Sequence, residues 1–527
     1  MLCDGACDRR THARTHEAGR PSRSPSIYAT RPSKACVVME SWASAVLSPS
    51  LRVANGLYGY AVHAGSDINP GTLLVRVPAA LAVTAESALR VKAIAELVSR
   101  ETEAHVTLAI WLMHTATASG AHGEYVRALT SADIDCTLQW SEVELGLLQL
   151  SRAGAKARAL QSWARDHWAQ LSARPAFAGS AIGNATLDQF SWALCAVWSR
   201  SFQMRCATED CDGVAGTSGG VWRVMAPGAD LLNHDAFNAA AVLELSADGA
   251  RPELWHSSPS TGAGATNAEA APADGLDEGV QAAEAHTEEV DAARVEAAAS
   301  WEAASTSSPP DDHDLSSREA FMLRAARRIK AGEEVTLNYG SRANSELLTT
   351  HGFALLDNPA ESTPLSLEPT AADPLGEIKR KLLAAGNVTS PFHLSATSLT
   401  TDSDLLVALR IGSANAVELR GQAYANAFKG LPLSERNERR WRGLLRERAG
   451  AMLAELESET TYSIDRAMLH QMGPPSRERS EIRKRAALIT RMGEKQMLRA
   501  VLDRLDHMRE AVPTPMLGTA SATGQGA

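Results

Sequence analysis

Residues Asp230 to Asn238, DLLNHDAFN, place two carboxylates, two amides and an imidazole within one short stretch of a 527-residue chain. Such a group can bind a metal, cap a turn, or form half of a pocket whose other half lies elsewhere. A zinc or iron site needs three or more convergent His, Cys or carboxylate ligands. The obvious further histidines, His256, His286 and His313, fall in or beside an acidic stretch poor in large apolar groups, so no metal is expected. Cys206 and Cys211 share a loop rich in Gly, Ser and Asp but lack two further ligands at matching spacing. Asp and Asn also bond their own backbone in turns, so a purely structural turn stands beside the pocket reading. The second half of a pocket is offered by Glu333 to Gly340, EEVTLNYG, which reads as a turn into a strand. Alternation puts Val335, Leu337 and Tyr339 on one face. Tyr339 falls where that strand ends, where a phenol can project into a cleft.

The elements that must position these groups are legible in outline. The runs YGYAVHAG and DINPGTLLVRVP read as two strands that pair, with Asn69-Pro70-Gly71 as a turn. Val106, Ala109, Ile110 and Met113 recur at helical spacing, as do Val143, Leu147 and Leu150 after the capping start Ser141-Glu142-Val143-Glu144. Phe190 to Val197 is a further apolar helical segment, leading into Ser199-Arg200-Ser201. Strand texture returns at VWRVMAPGADLL, AAVLELSA and EAFMLRAARRI. Beyond Asn358-Pro359 the chain reads as helical. Ser434 caps a helix carrying Trp441, Leu444, Leu445, Met452, Leu453 and Leu456 on one face, and Leu488, Met492, Leu498, Val501, Leu502 and Leu505 mark another.

Bulk properties narrow the classes. The apolar runs stop well short of the roughly 18 residues that a spanning helix needs, so no membrane role is expected. Residues 246–317 carry fifteen Asp or Glu against two Arg, a local charge of −13 within a chain of net −10, which leaves the remainder at +3. Neither part has the dense basic patch of a nucleic-acid binder. The acidic stretch cannot bury enough apolar surface to offset its chain entropy and is expected to be disordered, at most transiently helical around 282–304. Seven cysteines, an odd and small number for this length, point to a reducing compartment. The Arg/Ser/Thr-rich start lacks an apolar signal core, leaving an organellar transit segment or a disordered start.

At this point the motifs resemble a known family. Asp230-Leu231-Leu232-Asn233-His234 is similar to the D-x-x-N-H element of SET-domain methyltransferases, and Gly332-Glu333-Glu334 through Tyr339-Gly340 to their G-E-E/Q-x-x-x-x-Y-G element. Arg342-Ala343-Asn344-Ser345-Glu346-Leu347-Leu348 with His351-Gly352-Phe353 resembles the signature of the branch related to Rubisco large-subunit and actin-histidine methyltransferases. Trp140 to Leu145 and Gly493 to Leu498 are similar to two further stretches of that branch. There are departures: Gly59-Tyr60-Ala61 stands for a G-x-G turn, and His351 stands where relatives often carry Tyr or Ser.

The resemblance implies an α+β chain with a SET fold of short β-sheets and an inserted helical region, followed by an all-α C-terminal domain. Its boundaries would be a disordered or transit segment at 1–49, a SET domain at 50–358 with a helical insert at about 85–200 and the disordered acidic insert at 246–317, a helical substrate-binding domain at 359–510, and a disordered tail at 511–527. The implied activity is S-adenosylmethionine-dependent methyl transfer to a protein lysine, with a protein histidine or a non-catalytic SET-fold binding module as alternatives. By resemblance Tyr339 is catalytic. Gly59, Arg200, Asp230, Asn233, His234 and His351 line the cofactor, with Arg200 facing its carboxylate and Asp230 bracing the turn. A protein substrate would dock on the C-terminal helical domain of a monomer, in the cytoplasm or, with a transit segment, in a chloroplast or other organelle.

Overall fold

The strands among the described residues are at most six residues long, so the sheets are small. The computed structural model describes residues 39, 43–56, 59–78, 81–130, 132, 134–205, 221–245, 320–369, 372–400, 403–420 and 423–510. The acidic insert, Cys206, Cys211, His256, His286, His313, the tail and most of the expected disordered start lie outside those residues, but residues 43–49 correct that last expectation: Ala43, Val46 and Leu47 are buried, and Arg76 N–H donates to the Val46 carbonyl at 2.9 Å. Strands β1 (Leu51–Gly56) and β2 (Gly59–Ala64) form a hairpin that closes at Gly56 and Gly59, the latter at φ 101°. Strand β3 (Leu73–Pro78) pairs with a strand formed much later in the chain. Strands β4 (Val83–Thr84), β5 (Ser201–Arg205) and β6 (Val221–Met225) make an antiparallel sheet in the order β4-β6-β5, which leaves β5 at its edge. Strands β7 (Ala241–Leu245) and β8 (Ala320–Ala325) complete the sheet β3-β8-β7.

Two strand expectations need correction. YGYAVHAG and DINPGTLLVRVP do not pair with each other: β2 pairs with β1, and β3 with β8. The Asn69–Gly71 turn delivers β3 to β8 instead, through Gly71 N–H to the Ala325 carbonyl at 2.8 Å and Ala325 N–H to that of Thr72 at 2.9 Å. EEVTLNYG forms no continuous strand either, because its hydrogen bonds are divided among three partners. Val335 N–H donates to Val62, Leu337 N–H to Asn233, and the Thr336 carbonyl accepts from Ala240 and Ala241. This division ties the β1–β2 hairpin, the DLLNHD turn and β7 to one segment.

Helices supply the rest. Helix α1 (Ala104–Thr115) is buried almost all round and packs on α4 (Leu187–Arg200), which a Thr186–Gln189 capping box starts. Between them in sequence lie α2 (Ala121–Thr130) and α3 (Arg152–Ser172). Ser141 and Glu144 do form the expected capping box, but the helix is only Glu142–Gly146, too short for the Val143, Leu147, Leu150 face to form. Val143 is 83% exposed, while Leu145 and Leu148 turn inward against Trp140 and Leu348. Helix α5 (Asn344–His351) ends on Gly352 in the left-handed region, where a Cβ would collide with the Asp135 carbonyl. Helices α6 (Glu435–Leu456), capped by Ser434 as expected, and α7 (Arg479–Glu510) share a core of Trp441, Leu445, Leu498 and Val501. The cysteine count suggested a reducing compartment; Cys136 and Cys195 are joined as a disulfide, which that reading did not anticipate. Among the described residues no helix is long and apolar enough to cross a membrane.

Candidate active site

The DLLNHD segment is a short 3-10 turn, Ala229–Leu231, entered through Gly228 at φ 95°. Its first carboxylate is spent on bracing. Asp230 Oδ1 accepts from Gly228 N–H at 2.8 Å, and Oδ2 accepts from the Tyr125 hydroxyl of α2 at 2.5 Å. Arg200, the last residue of α4, donates through one terminal nitrogen to the Asp230 carbonyl at 2.9 Å and stands 3.6 Å from Oδ2. Burial pushes the Asp230 carboxyl above the usual carboxylate range, against the opposing pull of Arg200 and of the Tyr125 hydrogen bond. Arg200 Nε is buried and has no hydrogen-bond partner among the described residues.

Asn233 ties three segments together. Its Nδ2 donates to the Tyr60 carbonyl at 3.1 Å, beside Gly59, and to Glu334 Oε1 at 2.8 Å. Both amide hydrogens are therefore used within the chain. Ala61, whose methyl could have crowded a cofactor, is buried, and a Cβ added at Gly56 would meet it at 3.0 Å.

Tyr339 sits between two imidazoles. Its ring stacks on His234 at 5.0 Å between centroids and lies 5.3 Å from His351, with Phe353 behind both histidines. The Tyr339 hydroxyl donates to the Leu232 carbonyl at 2.7 Å. Its backbone N–H donates to His234 Nδ1 at 3.0 Å, a nitrogen that also lies 3.4 Å from the Leu337 carbonyl. Burial lowers the His234 pKa, and burial followed by the charges of Arg342, His234 and Arg223 holds that of His351 well below the usual range. Burial raises the Tyr339 pKa. At neutral pH the stack is two neutral imidazoles around a protonated phenol.

The structure thus brings Arg200, Asp230, Asn233, His234, Tyr339 and His351 into one connected cluster, with Gly59 joined to it through its neighbour Tyr60. Sequence reasoning missed Tyr125, Glu334 and Arg342. Arg342 bonds the Tyr339 carbonyl through Nε at 3.1 Å and pairs with Glu346 one helical turn on. The i, i+4 spacing of Arg342 and Glu346 was a readable signal; Tyr125 lies 105 residues from its partner and had none. Among the described residues no group of three or more His, Cys, Asp or Glu could hold a metal ion.

Comparison with known proteins gives this arrangement a setting. The chain has the fold of the SET domain of LSMT: it aligns with a crystal structure of that domain bound to methyllysine and AdoHcy at a TM-score of 0.63, over 91% of this chain and 93% of that one, with 18% identity. A structure of Rubisco LSMT bound to AdoMet aligns at 0.59, also at 18% identity. Residues 370–498, which include most of the C-terminal helices, match the family model described as Rubisco LSMT substrate-binding. In sequence, the actin-histidine N-methyltransferase of Canis lupus familiaris is 28% identical over 187 residues, and that of Homo sapiens 26% over 187 residues. Each of these alignments covers 33% of this chain and 30% of the relative, so the match spans under a third of the relatives' length.

Proposed function

We propose that this chain is an S-adenosylmethionine-dependent protein methyltransferase whose target is a lysine side chain. One observation carries the reading: a protonated tyrosine, clamped between neutral imidazoles and anchored on the Leu232 carbonyl, stands in the same cluster as a buried arginine with an unused nitrogen. The residues fit the cofactor on that nitrogen, since Arg200 Nε is a cationic donor left over for a carboxylate. When bound, S-adenosylmethionine supplies a methyl group on a positively charged sulfur.

What the chain contributes is alignment and a neutral nucleophile. A free lysine has a pKa of about 10.4, so about one in 2,500 is unprotonated at pH 7. The burial and, after it, the positive charge that lower the His351 pKa disfavour an ammonium group, which favours loss of its proton to solvent before transfer. Tyr339 cannot serve readily as the base, because its own pKa is raised. With its proton committed to Leu232, its oxygen presents lone pairs that orient the amine in line for displacement, where large effective-molarity gains arise. Arg200 would hold the cofactor carboxylate, Asp230 and Asn233 keep the two half-pockets in register, and the protein substrate would engage the C-terminal helices.

A histidine target is the second reading, favoured by the names of the relatives that match in sequence. The test is calorimetric titration of S-adenosylmethionine into the full chain, followed by methylation of a proteome extract and mass-spectrometric assignment of the modified residue. Methyl-lysine supports the first reading and methyl-histidine the second. Cofactor binding without any modified protein supports a non-catalytic binding module.

A further inference from the structure

Edge strand β5 leads away from the Tyr339 cluster, and one cation on its neighbour enters the site described so far only through its charge on His351. Arg223, on β6, is the cross-strand partner of Gln203 on β5. Its guanidinium is half-buried, and its one hydrogen-bond acceptor among the described residues is Ser201 Oγ at 3.1 Å. No described carboxylate forms an ion pair with it. Glu346, whose charge does act on it, is already bonded to Arg342. Arg342 joins the two places, with Nε on the Tyr339 carbonyl at 3.1 Å and a terminal nitrogen 3.4 Å from Gln203 Oε1. Gln203 is exposed, and Ser201, two residues along the same strand face, is half-buried, so this face of β5 opens to solvent beside the methyl-transfer cluster.

Taking a guanidinium out of water without a carboxylate partner is unfavourable, and such a group is commonly repaid by a ligand. Burial, and after it the charge of Arg342, lowers the Arg223 pKa to about 10, which still leaves it charged at neutral pH. The planar fork of an arginine matches a carboxylate through two parallel hydrogen bonds, and the Ser201 hydroxyl and Gln203 amide stand beside it as neutral polar groups.

We propose that Arg223, flanked by Ser201 and Gln203 on the open edge of β5, is a specificity subsite that binds an aspartate or glutamate side chain of the protein substrate close to the residue to be methylated. This rests on the methyltransferase reading and adds to it the chemistry of the substrate. A second use of the cation, holding the carboxylate of the cofactor itself, is separated by the test.

The experiment is an oriented peptide array, each peptide carrying one central Lys or His between randomised positions. It is incubated with the full chain and labelled S-adenosylmethionine and scored for both methylation and retained protein. Peptides with Asp or Glu near the centre should be favoured about ten- to hundredfold by the native chain. That preference should vanish in Arg223→Gln, survive in part in Arg223→Lys, and turn toward Lys and Arg in Arg223→Glu. Calorimetric affinity for S-adenosylmethionine should be unchanged in Arg223→Gln and Arg223→Lys, which also verifies that they fold. An acid preference untouched in Arg223→Gln, no acid preference by either score in the native chain, or cofactor affinity that falls in both variants would each overturn the subsite. Retention with an acid preference but no methylation counts against the transfer reading and leaves the subsite standing.

Discussion

Two buried clusters of opposite charges differ in how completely they are paired. At the junction of α7 with the preceding helices, Asp465 is fully buried and accepts from Arg491 and from Lys495 Nζ at 2.7 Å, with Thr460 Oγ1 at 2.8 Å. Lys495 also donates to the Thr460 carbonyl and Arg491 to that of Leu147. Around Tyr339 one cation, Arg223, meets no carboxylate and bonds only the Ser201 hydroxyl among the described residues, and Arg200 keeps a buried nitrogen without a described partner. In the first cluster both cations meet the one carboxylate, and although Arg491 Nε has no partner among the described residues, the group holds elements together. The second is left open, as a surface that must receive something is expected to be.

The comparison predicts where damage appears. Asp465→Ala strands two buried cations, so it should lower unfolding stability by about 3–5 kcal/mol. Denaturant titration reads that loss, while cofactor affinity of the protein still folded should stay native. A fall in affinity with unchanged stability would reverse the assignment of the two clusters. Tyr339→Phe is the counterpart in the open cluster. It removes the Leu232 hydrogen bond and should cut turnover by about a hundredfold with cofactor affinity retained. Full activity in that variant would remove Tyr339 from the chemistry.

A third prediction concerns a closed region that is short of cations. Glu361 is buried above Gly493 with one oxygen unpartnered, and burial, then the charge of Glu494, raises its pKa from 4.5 to about 8. The folded chain therefore holds a proton there that the unfolded chain releases above about 4.5. The associated stability is complete below that pH and is lost as pH rises through about 8. Unfolding free energies from denaturant titration at pH 5 and pH 8 should differ by about 3 kcal/mol more in the native chain than in Glu361→Gln. Equal pH slopes would mean that Glu361 is ionised in the fold.

How much of this was legible in the sequence follows from the range of the interactions. Capping boxes at Ser141 and Thr186, the Ser434 cap and the buried face of Trp441 and Leu445 are local, and spacing alone marks them. The motif residues of the site also stood out by type. What spacing could not supply was the division of the Glu334–Tyr339 backbone among three partners, since period-two alternation is satisfied equally by a strand and by this irregular seam. Tyr125 and Arg223 were invisible for the same reason: each acts across the fold, and neither lies in a motif.

The smallest effect sharpens the comparison most, because Asn233 belongs to both kinds of bonding. It stands in the open cluster, yet its amide hydrogens are closed on Tyr60 and Glu334. If its work is to hold the β1–β2 hairpin against the DLLNHD turn, Asn233→Ala should weaken S-adenosylmethionine by about tenfold through lost positioning, less than the loss of a direct charged contact. Glu334→Gln, which can turn its amide oxygen toward the same Nδ2, should then bind within about threefold of native, whereas Glu334→Ala should resemble Asn233→Ala. Calorimetry on the three variants reads this directly. A collapse of binding in Asn233→Ala with native affinity in Glu334→Ala would mean that the asparagine meets the ligand itself, through Oδ1 or the backbone, and that this corner of the pocket is as open as Arg200.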